Sequence, residues 1–185
     1  MKRLAILASG SGSNAEKIMA HFQNSEIAEI ALVASNKAEA FVLERAKKFE
    51  VPMFTFSRKE MDAGVLLEKL QEENIDWVIL AGFLLKIPVE LTRAFPDRMV
   101  NIHPALLPKY GGKGMYGSFV HEAVKAAGDT ETGITIHLVN ENYDEGRIVF
   151  QASTPVTSED TPDSIADKVH ALEHKHFPEV IEGLL

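Results

Sequence analysis

Apolar and polar positions along the 185-residue chain fall into two alternating patterns. Short, mainly apolar runs predict strands at Leu4–Ala8, Ile27–Ala34, Pro52–Thr55, Trp77–Ala81, Met99–His103, Thr132–Val139 and Ile148–Val156. Between them, amphipathic stretches predict helices at Asn14–Gln23, Ala38–Phe49, Ala63–Glu73, Tyr116–Ala127 and Pro162–Leu184. The last helix has a legible start, with Thr161 as N-cap, Pro162 at the first helical position and Asp163 in the first turn. Its apolar residues Ile165, Val169, Leu172, Phe177, Val180 and Leu184 recur roughly at helical spacing. Strand–helix alternation predicts an α/β fold, a mostly parallel twisted open sheet of about seven strands with helices on both faces. The apolar run Trp77–Ala81 suits a central strand buried on both sides. The short connection Asn140–Arg147 makes the C-terminal strand antiparallel to the one before it.

That architecture predicts where a ligand binds. In open α/β sheets the crevice lies beyond the carboxyl ends of the strands. Ser9–Asn14, Gly82–Ile87 and Asn101–Pro108 all sit at such ends, so they are expected to converge.

Composition narrows the class of partner. The length fits a single domain spanning 1–185. Lys and Arg total 19, Asp and Glu 27, for a net charge of −8. That balance argues against gripping a long nucleic acid and leaves room for one small anion held by local groups. There is no cysteine, which removes disulfides, thiolate metal sites and cysteine nucleophiles. The apolar stretch Leu4–Ala8 is too short for a secretory segment, and no run approaches a membrane span. A soluble, cytoplasmic protein is therefore expected.

Three segments carry candidate chemistry. Ser9-Gly10-Ser11-Gly12-Ser13-Asn14 joins a strand to a helix, where backbone amides and the helix dipole favour an anion. It is neither a Walker loop nor a full G-x-G-x-x-G, since position 15 is Ala; it reads as a phosphate cradle or as a capped tight turn. In Asn101-Ile102-His103-Pro104, residues i and i+2 of a strand face the same way. An amide and an imidazole side by side can stabilise an oxyanion and move a proton; the bland alternative is a strand-end polar pair bonded to loops. The loop Asn140–Gly146 carries Glu141, Asp144 and Glu145, and a carboxylate beside His103 would raise its pKa and orient it. His170, His174 and His176 do not form an H-E-x-x-H arrangement, so a helix face at a surface or ligand edge is favoured over a metal site. His137 reads as a core residue or a support for its neighbours. The glycine-rich Gly111–Gly117 is a lid or a loose connection.

Together these segments resemble a known family. Asn101-Ile102-His103-Pro104-Ala105-Leu106-Leu107-Pro108, with Gly133–Val139 and Asp144-Glu145-Gly146 downstream, looks like the folate-dependent formyltransferase core. Ser9–Asn14, Ser35–Ala40 and Ala81-Gly82-Phe83 are similar to the branch that formylates glycinamide ribonucleotide, and the likeness runs from about residue 3 to residue 181. The resemblance implies a Rossmann-like formyltransferase fold. It also implies transfer of the formyl group of 10-formyltetrahydrofolate, as cosubstrate, to the ribonucleotide's amine, without a metal. The family's catalytic trio falls on Asn101, His103 and Asp144. Gly12, Ser13 and Asn14 match the phosphate contacts and Glu173 a ribose contact. Leu84, Leu85, Ile87, Asn140, Glu141 and Tyr143 match the folate pocket. On this likeness residues 1–98 form a phosphate-binding half and 99–185 a catalytic and folate-binding half. The expected partners are small molecules, with no nucleic acid or membrane, in a monomer or homodimer.

Two departures stand out. Leu84-Leu85-Lys86 replaces a common Met-Arg, and Lys109–Val120 is longer than in many members. The basic residue that helps hold phosphate is left open between Arg58 and Lys59. Hydrolysis of the same folate, on the family core, and a non-catalytic nucleotide-binding domain are the rival readings.

Overall fold

The computed structural model describes residues 1–185. Five strands, β1 (Lys2–Leu7), β2 (Ala28–Ser35), β3 (Met53–Thr55), β4 (Trp77–Leu80) and β5 (Met99–His103), run parallel; β6 (Glu131–Leu138) and β7 (Ile148–Pro155) complete one sheet. The strand order is β3-β2-β1-β4-β5-β6-β7. Seven helices pack around it: α1 (Ser13–Phe22), α2 (Phe41–Lys48), α3 (Arg58–Asp62), α4 (Val65–Glu72), α5 (Val89–Ala94), α6 (Ser118–Ala127) and α7 (Pro162–Leu184). The chain moves outward from β1 through β2 to β3, then returns to lay β4 on the other side of β1. That reversal leaves a crevice over the carboxyl ends of β1 and β4.

Both faces of the central strands are buried, and alternation explains how. Leu4, Ile6 and Ala8 belong to one core layer, which is completed by residues of α1, α2, α6 and α7. Ala5 and Leu7 belong to the other, with Met61 of α3, Leu66 and Leu70 of α4 and Leu91 of α5. Trp77 and Ile79 divide from Val78 and Leu80 in the same way. Burying each large side chain contributes about 1.5–3 kcal/mol, so these layers dominate the favourable side of folding. On β5, Ile102 enters the first layer, which turns Asn101 and His103 to the opposite face.

Several elements differ from the sequence pattern. The helix expected over 63–73 is α4; α3, which ends at Asp62, lies before it and outside the expected helices, and the two are parted at Gly64, at φ 90°. Its left-handed backbone is cheap for glycine and keeps the two helices apart. α3 begins with a reciprocal Ser57–Glu60 capping box, a signal legible as Ser-x-x-Glu. α5 also lies outside the expected helices; it is short and follows Pro88. α2 and α6 start later than expected, at Phe41 and Ser118. The antiparallel region is larger than predicted, since β6 pairs antiparallel with β5 as well as with β7. This sets Asn101 directly opposite His137, and His103 opposite Thr135. α7 starts as expected, with a Thr161–Ser164 capping box and Pro162 in its first turn. No helix is long and apolar enough to cross a membrane.

Candidate active site

The three strand-end segments do converge. With the 140–144 loop, the 112–117 segment and one face of α7, they line a cleft of about 550 Å³. Ser9 joins its walls. It is buried, its backbone amide donates to the Gly82 carbonyl, and its hydroxyl donates to Asn36 Oδ1 while accepting from the Leu84 amide. One side chain thus ties the ends of β1, β2 and β4 together.

At one end, Gly10–Asn14 leads into α1. Gly12 is the N-cap at φ 74°, and a Cβ there would lie 2.8 Å from the Val42 backbone. The loop can therefore lie close against α2 only with glycine. The first amides of α1 have no carbonyl partner within the helix and face the cleft end as donors. Arg45 holds the loop from behind, donating to the Ser11 carbonyl at 2.9 Å and pairing with Glu16. Gly12→Ala should cost at least about 1–2 kcal/mol from the left-handed backbone alone. Urea denaturation compared with the wild type checks this, and an unchanged midpoint would contradict it.

Next to that loop, Asn14 Nδ2 donates to Glu173 Oε2 at 2.9 Å, joining α1 to α7. Burial pushes the Glu173 carboxyl above its ordinary pKa, against the lowering effects of the Asn14 hydrogen bond and nearby His170. Asn14 Oδ1 and His121 Nδ1 are buried without partners. Burial and His170 together hold the His121 imidazole down to about 4. Because the folded pKa is depressed, the stability His121 confers is full above the unfolded value of about 6.5. It is lost as pH falls from there to about 4, and amounts to roughly 3 kcal/mol at most. Urea melts of wild type and His121→Gln at pH 7.5 and 4.5 should show a smaller acid loss in the variant. Equal losses would contradict this.

At the base, His103 is 4% exposed. Its Nε2 bonds the Tyr110 carbonyl at 2.7 Å, and Nδ1 lies 3.7 Å from Asp144 Oδ2. A carbonyl only accepts, so Nε2 carries the proton and a neutral ring presents a lone pair at Nδ1. Burial lowers the His103 pKa and outweighs the raising effects of Asp144 and Tyr110. The expected net rise therefore does not occur: desolvation of a nearly enclosed ring wins. Asp144 behaves differently. Burial raises its pKa, but the hydrogen bond from Gly112 and the nearby imidazoles of His137 and His103 more than offset that and leave the carboxyl below its ordinary value. Gly112 N–H donates to Asp144 Oδ2 at 2.9 Å. Asn101 Nδ2 donates to His137 Nε2 at 3.1 Å, His137 Nδ1 donates to the Leu138 carbonyl, and His137 Nε2 lies 3.5 Å from Asp144 Oδ1. Behind His103, buried Thr135 Oγ1 donates to the Ala105 carbonyl and accepts from Leu107 N–H, fixing the turn that follows β5.

At the far end, Leu84, Leu85 and Ile87 face Asn140, Glu141 and Tyr143 across the cleft. Lys86 Nζ lies 5.5 Å from the Tyr143 ring centre, and Arg93 pairs with Glu141 at 3.0 Å. Leu84 is 47% exposed and Tyr143 39%, leaving an apolar rim open to a flat ligand.

A family model described as formyl transferase matches residues 2–181. The chain belongs to the formyl transferase family. It is 42% identical over 190 residues to the chloroplastic phosphoribosylglycinamide formyltransferase of Arabidopsis thaliana, covering 99% of this chain and 65% of that one. It thus spans about two thirds of that relative's length. It is 38% identical to the phosphoribosylglycinamide formyltransferase of Haemophilus influenzae, covering 98% and 86% of the two chains. The crystal structure of glycinamide ribonucleotide transformylase 1 from Geobacillus kaustophilus superposes with a TM-score of 0.91 at 35% identity, covering 100% and 99%.

Every site residue expected from the sequence lines the one cleft. Arg58 and Lys59 do not line it, and Arg58 pairs with Asp62 on α3. His170 lies at the cleft edge, as expected of a ligand-edge helix face, whereas His176 packs on Phe150 instead. No group of three or more His, Asp or Glu side chains is arranged to hold a metal ion. Sequence reasoning missed the roles of Ser9, the Tyr110 carbonyl and the Gly112 amide. His137 had a partial signal, since it alternates with Ile136 and Leu138 and so shares a face with Thr135, but only the β5–β6 register sets it against Asn101.

Proposed function

We propose that this protein transfers the formyl group of 10-formyltetrahydrofolate to the amine of glycinamide ribonucleotide, giving formylglycinamide ribonucleotide and tetrahydrofolate in purine biosynthesis. The observation that carries the reading is the placement of Asn101, His103 and Asp144 at the base of a cleft with two unlike ends. One end offers helix-start amides suited to a phosphate, the other an apolar rim suited to a pterin.

The amine attacks the formyl carbon, and the carbonyl electrons move to oxygen. Asn101 Nδ2 spends one hydrogen on His137, leaving its second for that oxyanion. His103, neutral because it is buried, takes the proton the amine sheds at Nδ1, directly or through water. Ionised Asp144 stabilises the imidazolium that forms. The oxyanion then collapses, the bond to folate N10 breaks, and N10 receives the proton. Gly12, Ser13 and Asn14 hold the phosphate, and Glu173, oriented by Asn14, accepts from the ribose hydroxyls. Leu84, Leu85 and Ile87 pack on the pterin with Asn140, Glu141 and Tyr143. The halves 1–98 and 99–185 therefore both contribute to each substrate site, the first lending the 84–87 wall and the second lending Glu173.

The deciding assay follows consumption of 10-formyltetrahydrofolate with and without glycinamide ribonucleotide. Consumption that requires the ribonucleotide and yields its formyl derivative is expected. Formate release without it would replace this reading by hydrolysis, and ribonucleotide binding without turnover would replace it by a non-catalytic role.

A further inference from the structure

Tyr110 holds a conformation that a bulky side chain seldom adopts. Its φ is 54°, in the left-handed region, and its peptide carbonyl accepts from His103 Nε2. Something must hold it there. The ring packs partly buried against the main core layer, and its hydroxyl donates to Asp129 Oδ2 at 2.8 Å. Asp129, just beyond α6, is itself fixed by Lys109 Nζ at 3.2 and 3.3 Å. Two residues on, Gly112 N–H donates to Asp144. Between them, a Cβ on Gly111 would lie 2.6 Å from Leu107 Cδ2 and 3.6 Å from Asp144 Cβ. The segment 110–112 thus grips the His103–Asp144 pair from both ends with main-chain groups, and its own anchor lies outside the cleft. Tyr110 and Asp129 border a separate pocket of about 250 Å³ and do not line the large one.

We propose that the Tyr110–Asp129 hydrogen bond is a positioning device for His103: it keeps the Tyr110 carbonyl on Nε2, so that Nδ1 is the nitrogen presented to Asp144. The inference rests on the reading of His103 as the proton-handling group. Neither residue touches substrate; both act through the imidazole. Without the hydroxyl anchor, the left-handed backbone relaxes, the carbonyl leaves Nε2, and the proton distributes over both ring nitrogens. Asp144 then faces a mixture of tautomers instead of a uniform lone pair.

The test uses Tyr110→Phe, Asp129→Asn and the double variant, each as full-length protein. Nitrogen-15 NMR of labelled histidine reports the His103 tautomer without any turnover. The wild type should show Nε2–H as the dominant neutral form, and each variant should show a mixed population. In parallel, kcat should fall about tenfold or more, as for a modest misplacement of a reacting group, with KM for both substrates within about twofold. The double variant should match the single ones, because both break one contact. Unchanged His103 nitrogen shifts in the variants would overturn the proposal, as would a fall in melting temperature with an unchanged kcat. A wild type that shows the Nε2–H tautomer but transfers no formyl group would instead overturn the functional reading and leave the positioning contact standing.

Discussion

Asn101→Ala should lower kcat about 10²–10³-fold, the usual loss when one oxyanion donor is removed, while the protein stays folded. Asn101 sits two residues before the carboxyl end of β5, opposite His137. That pairing orients the amide by holding one hydrogen, leaving the other for charge that develops only in the transition state. An interaction of that kind acts on kcat more than on KM, so both Michaelis constants should change little. The change leaves His137 Nε2 without its amide donor, at a cost of about 1 kcal/mol, too little to unfold a domain of ordinary stability. Steady-state kinetics with circular-dichroism melts separate the effects. Turnover within about threefold of wild type would remove Asn101 from the mechanism.

Asp144→Asn should reduce kcat about 10²–10⁴-fold, the range set by loss of general acid–base function. The carboxylate uses one oxygen for the Gly112 amide and turns the other toward His137, with His103 3.7 Å away. An amide of the same shape has one accepting oxygen, so one of these contacts meets an N–H instead. It also removes the negative charge that raises the His103 pKa against the larger lowering effect of burial. In the wild type kcat/KM should therefore stay level near neutral pH and fall only below the ordinary histidine range, where His103 gains its proton. In the variant that acid limb should move to lower pH still. A variant profile with the limb unmoved would show that Asp144 and His103 do not titrate as neighbours.

The cleft was legible in the sequence to an unusual depth because its parts lie at strand ends. A strand end is marked by local signals: Gly10 and Gly12 after one apolar run, Gly82 after another, Pro104 after a third. The rule that ligands bind beyond those ends supplies the convergence. Residues Asn101 and His103 could be paired from strand period alone, because side chains two apart share a face. What stayed hidden involves main-chain groups. The carbonyl of Tyr110 and the amide of Gly112 carry no side-chain signature, and the backbone turn that aims them depends on a contact with Asp129, nineteen positions away. α3 is a different case: its Ser57–Glu60 box was present to be read, but its 5 residues, cut off from α4 by Gly64, are too few to show an amphipathic period.

By itself, the sequence determined the α/β alternation, the start of α7, the Gly12 turn into α1 and the face shared by Asn101 and His103. Each follows from period, capping or glycine freedom acting over a few residues. Only the tertiary structure decided the direction of β6 against β5, and with it the meeting of Asn101 and His137. It also decided the protonation state of the site. An adjacent carboxylate raises a histidine pKa, yet the fold encloses His103 so fully that desolvation prevails and the ring is held neutral. Burial sums over all surrounding elements, so no local stretch of the chain contains it.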